Sequence, residues 1–204
     1  MKVSLEWLAD YVSLPAGASP GDVARELTLK TVEVEGAELA DGDVVFEIDN
    51  KSLTNRPDLW GHYGIARELA AIYGVPLVPL AGAARPPEVT GLAEPPDPDI
   101  CARFAAVTFS LDPGAPVPEL IARRLARVGA DSISLVVDLA NYVMYAVGQP
   151  LHVYDADRLH LPLRAAVGPV LPDFELLTGQ RVNTSGPLPV IQIGRASCRE
   201  RVSP

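Results

Sequence analysis

The residues best suited to chemistry lie in one stretch, Val136 to Asp155, where Asn141, Gln149, His152 and Asp155 interrupt an otherwise apolar run. Buried polar groups cost free energy unless they are paired, so their presence here asks for a reason. One reading is a pocket. Asn141 on a helix and His152 in the loop that follows would both face a bound ligand, with Asp155 orienting the imidazole. The competing reading is structural: His152 caps a carbonyl or pairs with an acid, and Asn141 bonds to its own loop. Residue chemistry alone favours the second.

Three other groupings invite a functional reading. Asn55-Arg56-Pro57-Asp58 could form an anion or partner site at a helix N-terminus, although Asn55 as a cap and Arg56 paired with an acid is the simpler account. Arg123, Arg124 and Arg127 could contact phosphate. Glu119 stands four residues before Arg123, however, which favours a solvated helical face. Trp60, His62 and Tyr63 could stack on a base, but their spacing fits core and rim better. Cys101 and Cys198 are far apart and lack the neighbours of a metal or disulfide framework, so no metal site is expected.

The elements that must carry these residues follow from periodicity and caps. Ser4 caps a helix from Leu5 to Tyr11, and Ser19-Pro20 with Asp22 opens another that runs to Leu27. Alternation predicts a strand from Thr31 to Leu39 and a second from Val44 to Ile48, joined through Asp41 to Asp43. Asn55 and Pro57 start a helix that ends at Gly74, and Gly61 and Gly64 allow another backbone to come close. Seven prolines between residues 75 and 99 make that segment an extended connector. A strand is expected over Arg103 to Ser110. A helix follows over Pro118 to Val128, with Leu120, Ile121, Leu125 and Val128 inward. Ser132 to Val147 reads as a helix stopped by Gly148, though its Ile, Val and Leu content also permits a strand. From Leu163 onward, short apolar runs broken by Gly and Pro suggest hairpins.

Composition bounds the class. Of 204 residues, 48% are hydrophobic and 21% charged, a globular balance, while 20 Pro and 16 Gly demand short elements and many turns. A net charge of −9 argues against tight unaided binding to a phosphate backbone. Glu6 and Asp10 interrupt any apolar signal core, and no uncharged run reaches membrane-spanning length, so a cytoplasmic location without membrane association is expected.

In their order along the chain, Met1 to Leu8, Thr31 to Gly36, Asn55 to Asp58, Gly64 to Leu69, Asn141-Tyr142-Val143 and Gln149-Pro150-Leu151-His152 closely resemble the β subunits of bacterial phenylalanyl-tRNA synthetases. The resemblance spans residues 1 to about 191. It implies an α+β fold with the family's N-terminal domain over 1–40 and an incomplete tRNA-binding and editing domain over 41–191. That domain hydrolyses tyrosine wrongly attached to phenylalanine tRNA, a second sieve for a hydroxyl that pocket shape alone excludes poorly. The resemblance places His152 and Asn141 in the editing pocket, with Ala140, Gln149 and Pro150 beside the substrate. It also implies the synthetase α subunit and phenylalanine tRNA as partners. No cofactor is implied for this stretch, since ATP and Mg act on the α subunit.

Several departures accompany the resemblance. Ala140 replaces the usual threonine, four residues at Ala40 to Asp43 stand where most bacterial relatives insert a tRNA-binding barrel, and the glycine-rich loop and pocket acid expected after Val190 are missing. Ile193 to Val202 resembles a translated sequencing adapter, so 192–204 is read as a tail outside the core. Two alternatives stay open: a stand-alone amino-acid or tRNA-end binding module that edits in trans, and a scaffold bracing a partner subunit.

Overall fold

The computed structural model describes residues 1–80, 91–94, 96–112, 114–168, 173–175, 179–183 and 186–193. Helices and small antiparallel sheets make an α+β chain in two compact units, Met1–Gly82 with Leu111–Val153, and Ala83–Ser110 with Tyr154–Pro204.

In the first unit, β1 (Lys2–Ser4) and β2 (Val34–Ala40) flank β3 (Asp43–Ile48), both antiparallel to it. No alternation long enough to announce β1 exists in its three residues. It forms because Val3 lies opposite Phe46, and both are fully buried. The β2–β3 hairpin turns on Asp41 (φ 47°) and Gly42 (φ 75°). Positive φ at both central residues is the Asp-Gly turn whose twist matches the strands. The sequence boundary drawn at residues 40 and 41 therefore coincides with the tip of a hairpin.

Ser4 caps α1 (Leu5–Leu8) by accepting the Trp7 N–H at 3.1 Å. This helix ends three residues before the expected Tyr11, because Val12 leaves it to bridge Leu77. By contrast α2 (Pro20–Lys30) outruns the expected Leu27. Ser19 and Asp22 form a reciprocal capping box at its start, and Glu26 pairs with Lys30 one turn on at 2.7 Å. Thr31 is its C-terminal cap, so β2 begins at Val34 rather than Thr31.

Asn55 caps nothing. Two 3-10 turns, Asn50–Leu53 and Pro57–Leu59, fill the loop, and α3 (His62–Tyr73) starts at Gly61 without a side-chain cap. It stops at Gly74 in the left-handed conformation, as the sequence predicts. The close approaches expected at Gly61 and Gly64 are present: a β-carbon on Gly61 would overlap the Gly148 amide nitrogen, and one on Gly64 the Asp58 carbonyl oxygen. α3 packs on α1, α2 and α5 (Leu135–Val147), and α4 (Glu119–Arg127) packs on α5. The core gathers Val3, Leu8, Leu27, Phe46, Ile65 and Leu69. Leu125 and Val128 of the α4 segment are buried as expected, whereas Leu120 is 44% exposed and Arg124 occupies the inward stripe instead.

In the second unit, β4 (Leu163–Val167) pairs with β7 (Pro189–Ile193), and β5 (Phe174–Glu175) with β6 (Arg181–Val182), all antiparallel. Residues 103–110 form no strand. Val107 and Phe109 are exposed with no ladder beside them, and strand propensity does not act without a partner. The tail expected to begin at Gln192 starts inside β7, where Gln192 faces Arg164 and Ile193 faces Leu163. Residues 194–204, the rest of that tail, and residues 81–90 and 95 of the proline-rich connector lie outside the described residues.

Gly64→Ala drives a methyl into the Asp58 carbonyl and should cost about 3 kcal/mol in urea unfolding. Gly36→Ala, where a β-carbon meets nothing within 4 Å, should stay within about 0.5 kcal/mol of the parent.

Candidate functional site

α5 and the loop after it carry the sequence-predicted site. Ala140 and Asn141 are half-buried in its middle, Gly148 ends it in the left-handed conformation (φ 77°), and Gln149, Pro150 and His152 follow in an exposed loop. Asp155 lies in the second unit. Its carboxylate accepts the Asp157 N–H at 3.0 Å and caps the 3-10 turn Ala156–Arg158. Among the described residues no cluster of His, Cys, Asp or Glu is arranged to hold a metal.

The rotation of α5, and so the direction of Asn141, is set by three polar anchors spaced four and three residues apart on one helical face. The fully buried Asp138 carboxylate accepts from the Ser132 hydroxyl and from the Ile133 N–H at 2.9 Å. One turn on, the Tyr142 ring stacks on Trp7 at 4.6 Å, and its hydroxyl accepts from Arg124 at 2.9 Å. The Tyr145 carbonyl then meets His62 Nδ1 at 2.7 Å.

His62 is core, not a base-stacking surface. Its Nε2 accepts the Ser4 N–H at 3.0 Å, so the ring proton must sit on Nδ1, which donates to Tyr145. The ring stacks on Trp7 at 4.1 Å. Burial pushes its pKa down to about 4, against the opposing pull of the Tyr145 carbonyl. Tyr63 meets Tyr11 edge-on at 5.4 Å, and Trp60 is at the rim.

Arg124 and Arg127 of α4 belong to neither a phosphate patch nor a solvated face, and Arg123 is exposed. Arg124, with its side chain 3% exposed, binds Asp10 at 2.6 Å and Glu6 at 3.0 Å and lies 5.4 Å above the Trp7 ring. Arg127 reaches Glu6 at 2.8 Å and the Asp41 carbonyl at 2.7 Å. The Arg124 hydrogen bond holds the Glu6 carboxyl below its usual range. This network was missed because Arg123, on the exposed side, drew the helical pairing argument. The available signal was Arg124 itself, which shares the three-and-four spacing of Ile121, Leu125 and Val128. Arg56 does pair with acids, with Asp58 and Glu68 both at 2.8 Å, and it holds Asp58 down to about 2.

Between its folded pKa of about 4 and its unfolded value of 6.5, His62 takes up a proton only in the unfolded chain. Its contribution to stability is complete above pH 6.5 and is lost as pH falls toward 4, with a slope of at most about 1.4 kcal/mol per pH unit. His62→Gln, which keeps one acceptor and one donor, should flatten chemical-denaturation stability across that window. An unchanged slope would rule out His62 as the titrating group. Arg124→Ala should cost about 2 kcal/mol, since the acids it abandons keep partial solvation.

Known proteins resemble this chain along most of its sequence. Residues 100–198 match the B3/4 domain family, a stretch that contains α5 and His152. The phenylalanine–tRNA ligase β subunit of Bordetella parapertussis is 36% identical over 192 residues, 91% of this chain and 22% of that protein. That of Burkholderia lata is 38% identical over 158 residues, 75% of this chain and 19% of the relative. That of Solibacter usitatus is 44% identical over 119 residues, 57% of this chain and 16% of the relative. This chain spans about a fifth of the length of these relatives. Agreement along nine-tenths of the chain, with the B3/4 match lying over the helix that carries Asn141, supports a fragment similar to the phenylalanine–tRNA ligase β subunits.

Proposed function

We propose that this chain contributes to phenylalanyl-tRNA synthesis as part of a β subunit, acting with the synthetase α subunit and phenylalanine tRNA, and that its α5 region forms part of an editing site for mischarged tyrosine. The observation that carries the reading is the B3/4 match over residues 100–198, which covers both Asn141 and His152. In this reading His152, exposed in the loop after α5, holds or polarises the water that attacks the ester carbonyl. Asn141 orients the aminoacyl end, and Ala140, Gln149 and Pro150 border it. Ester hydrolysis also needs a group that reads the tyrosine hydroxyl.

The charge distribution supports weak tRNA binding by the chain itself. At −9 it repels a phosphate backbone, and Arg56, Arg67, Arg124 and Arg127 are engaged by carboxylates. A two-residue turn stands in place of the barrel domain. Among the described residues no helix is long and apolar enough to cross a membrane. A cytoplasmic site of action accords with a role in tRNA charging.

Purified chain should deacylate tyrosyl-tRNA carrying the phenylalanine tRNA no faster than its His152→Ala variant. Co-expressed with the remaining four-fifths of the Bordetella parapertussis β subunit and an α subunit, it should regain deacylation, and His152→Ala should then lower the rate about 100-fold. Robust His152-dependent turnover by the chain alone would favour a stand-alone editing module.

A further inference from the structure

The motif Asn55-Arg56-Pro57-Asp58 touches no part of the proposed pocket, yet the turn it opens lies against the root of the loop that carries His152. The 3-10 turn Pro57–Leu59 is locked on its inner side. Leu59 is fully buried, its N–H donates to the Arg56 carbonyl at 3.0 Å, and the Asp58 carbonyl packs against Gly64 of α3. On its outer side the Arg56 guanidinium grips the Asp58 carboxylate through Nε at 3.0 Å and Nη2 at 2.8 Å, and it reaches Glu68 on α3 at 2.8 Å. Arg67 binds Asp58 as well. An isolated exposed ion pair fixes little, but a two-pronged grip inside a network of charges fixes geometry. The Arg56 hydrogen bonds hold the Asp58 carboxyl down to about 2, so the clamp stays charged at neutral pH.

The end of this turn meets the end of α5. A β-carbon on Gly61 would overlap the Gly148 amide nitrogen, and one on Gly148 would lie 3.3 Å from the Trp60 carbonyl carbon and 3.6 Å from the Pro57 carbonyl oxygen. Backbone rests on backbone there, with no side chain between them to absorb a shift. The Gln149 to His152 loop leaves α5 from that contact.

We propose that Arg56 is a positioning residue for His152: its clamp on Asp58 and Glu68 fixes the Pro57–Leu59 turn, the turn fixes Gly148, and Gly148 sets the direction in which the loop leaves the helix. The consequence for hydrolysis rests on the editing reading, in which the imidazole must be aimed at the water it holds. A misplacement of about 1 Å in such a group costs up to about 100-fold in rate. Two carboxylates already occupy the guanidinium, which leaves Arg56 no role as an anion site. Lysine cannot replace it, because a single ammonium lacks the planar fork that holds both oxygens of Asp58 while reaching Glu68.

The test reads the loop first and its chemistry second. In a Cys101→Ser, Cys198→Ser background a nitroxide label is attached at Leu151→Cys, beside His152, or at Leu29→Cys on α2, positions that are 50% and 70% exposed. In the chain alone, Arg56→Ala and Arg56→Lys should each raise the nanosecond mobility of the label at position 151 about twofold and leave the label at position 29 unchanged. Val23→Ala, which weakens the core away from the turn, should leave position 151 unchanged. In unlabelled chain co-expressed with an α subunit and the remaining four-fifths of the Bordetella parapertussis β subunit, Arg56→Ala should lower kcat for deacylation of tyrosyl-tRNA about tenfold with KM unchanged. An unmoved label at position 151, or equal loosening by Val23→Ala, overturns the proposal. So does an unchanged kcat in a complex whose deacylation depends on His152. If His152→Ala also leaves deacylation unchanged, the editing reading fails instead, and the spectra alone decide whether Arg56 fixes the loop.

Discussion

The buried guanidinium of Arg124 is the constraint around which the first unit is arranged. A cation removed from water must keep carboxylates within hydrogen-bonding reach, and Glu6 and Asp10 answer from more than a hundred residues away in sequence. They stay there because Ser4 fixes α1 at both ends of its own hydroxyl, accepting from the Trp7 N–H and donating to Asp43 at 2.5 Å. Trp7 then stacks on both the His62 and Tyr142 rings, with Arg124 over its ring. One stack thus ties together the N-terminus, α3, α4 and α5. A change at any member is felt by the others, since none can move without leaving a polar group unpaired.

The candidate site inherits its geometry from that stack. α5 is held through Asp138, Tyr142 and Tyr145, and the next turn is held by the close passage of Gly148 over Gly61. Asn141 lies on the flank of the anchored face, so its direction is fixed by residues that touch no substrate. His152 has no comparable support: it is exposed, in a loop, beyond the last anchor. A rigid helix bearing one group and an unsupported loop bearing the other leave half of the arrangement preorganised.

The hairpin tip shows how the chain closes the junction between β2 and β3. Asp41 and Gly42 supply the two positive φ values of a tight turn, and Arg127 holds the Asp41 carbonyl from α4. The turn is therefore fastened to the same ionic network as α1, so the junction where most relatives are expected to carry a barrel is here a packed feature of the first unit.

Local signals in the sequence determined the parts of this structure that local energetics govern. The Ser19 and Asp22 box, the Gly74 and Gly148 stops, the helical reading of residues 132–147 and the tight approaches at Gly61 and Gly64 all rest on a few neighbouring residues, and all appear in the structure. The order of motifs from Met1 to His152 likewise sufficed to place the family, because order is a property of the chain itself. What only the tertiary structure decided depends on partners distant in sequence. β1 exists through Phe46, the segment 103–110 has no strand to join, and the sequence-drawn tail begins within β7 because Arg164 and Leu163 pair with it. The burial of His62 and Arg124 was illegible for the same reason. A histidine or arginine enters a core only when groups from elsewhere satisfy it, and those groups, Ser4, Tyr145, Glu6 and Asp10, are brought within reach by the fold alone.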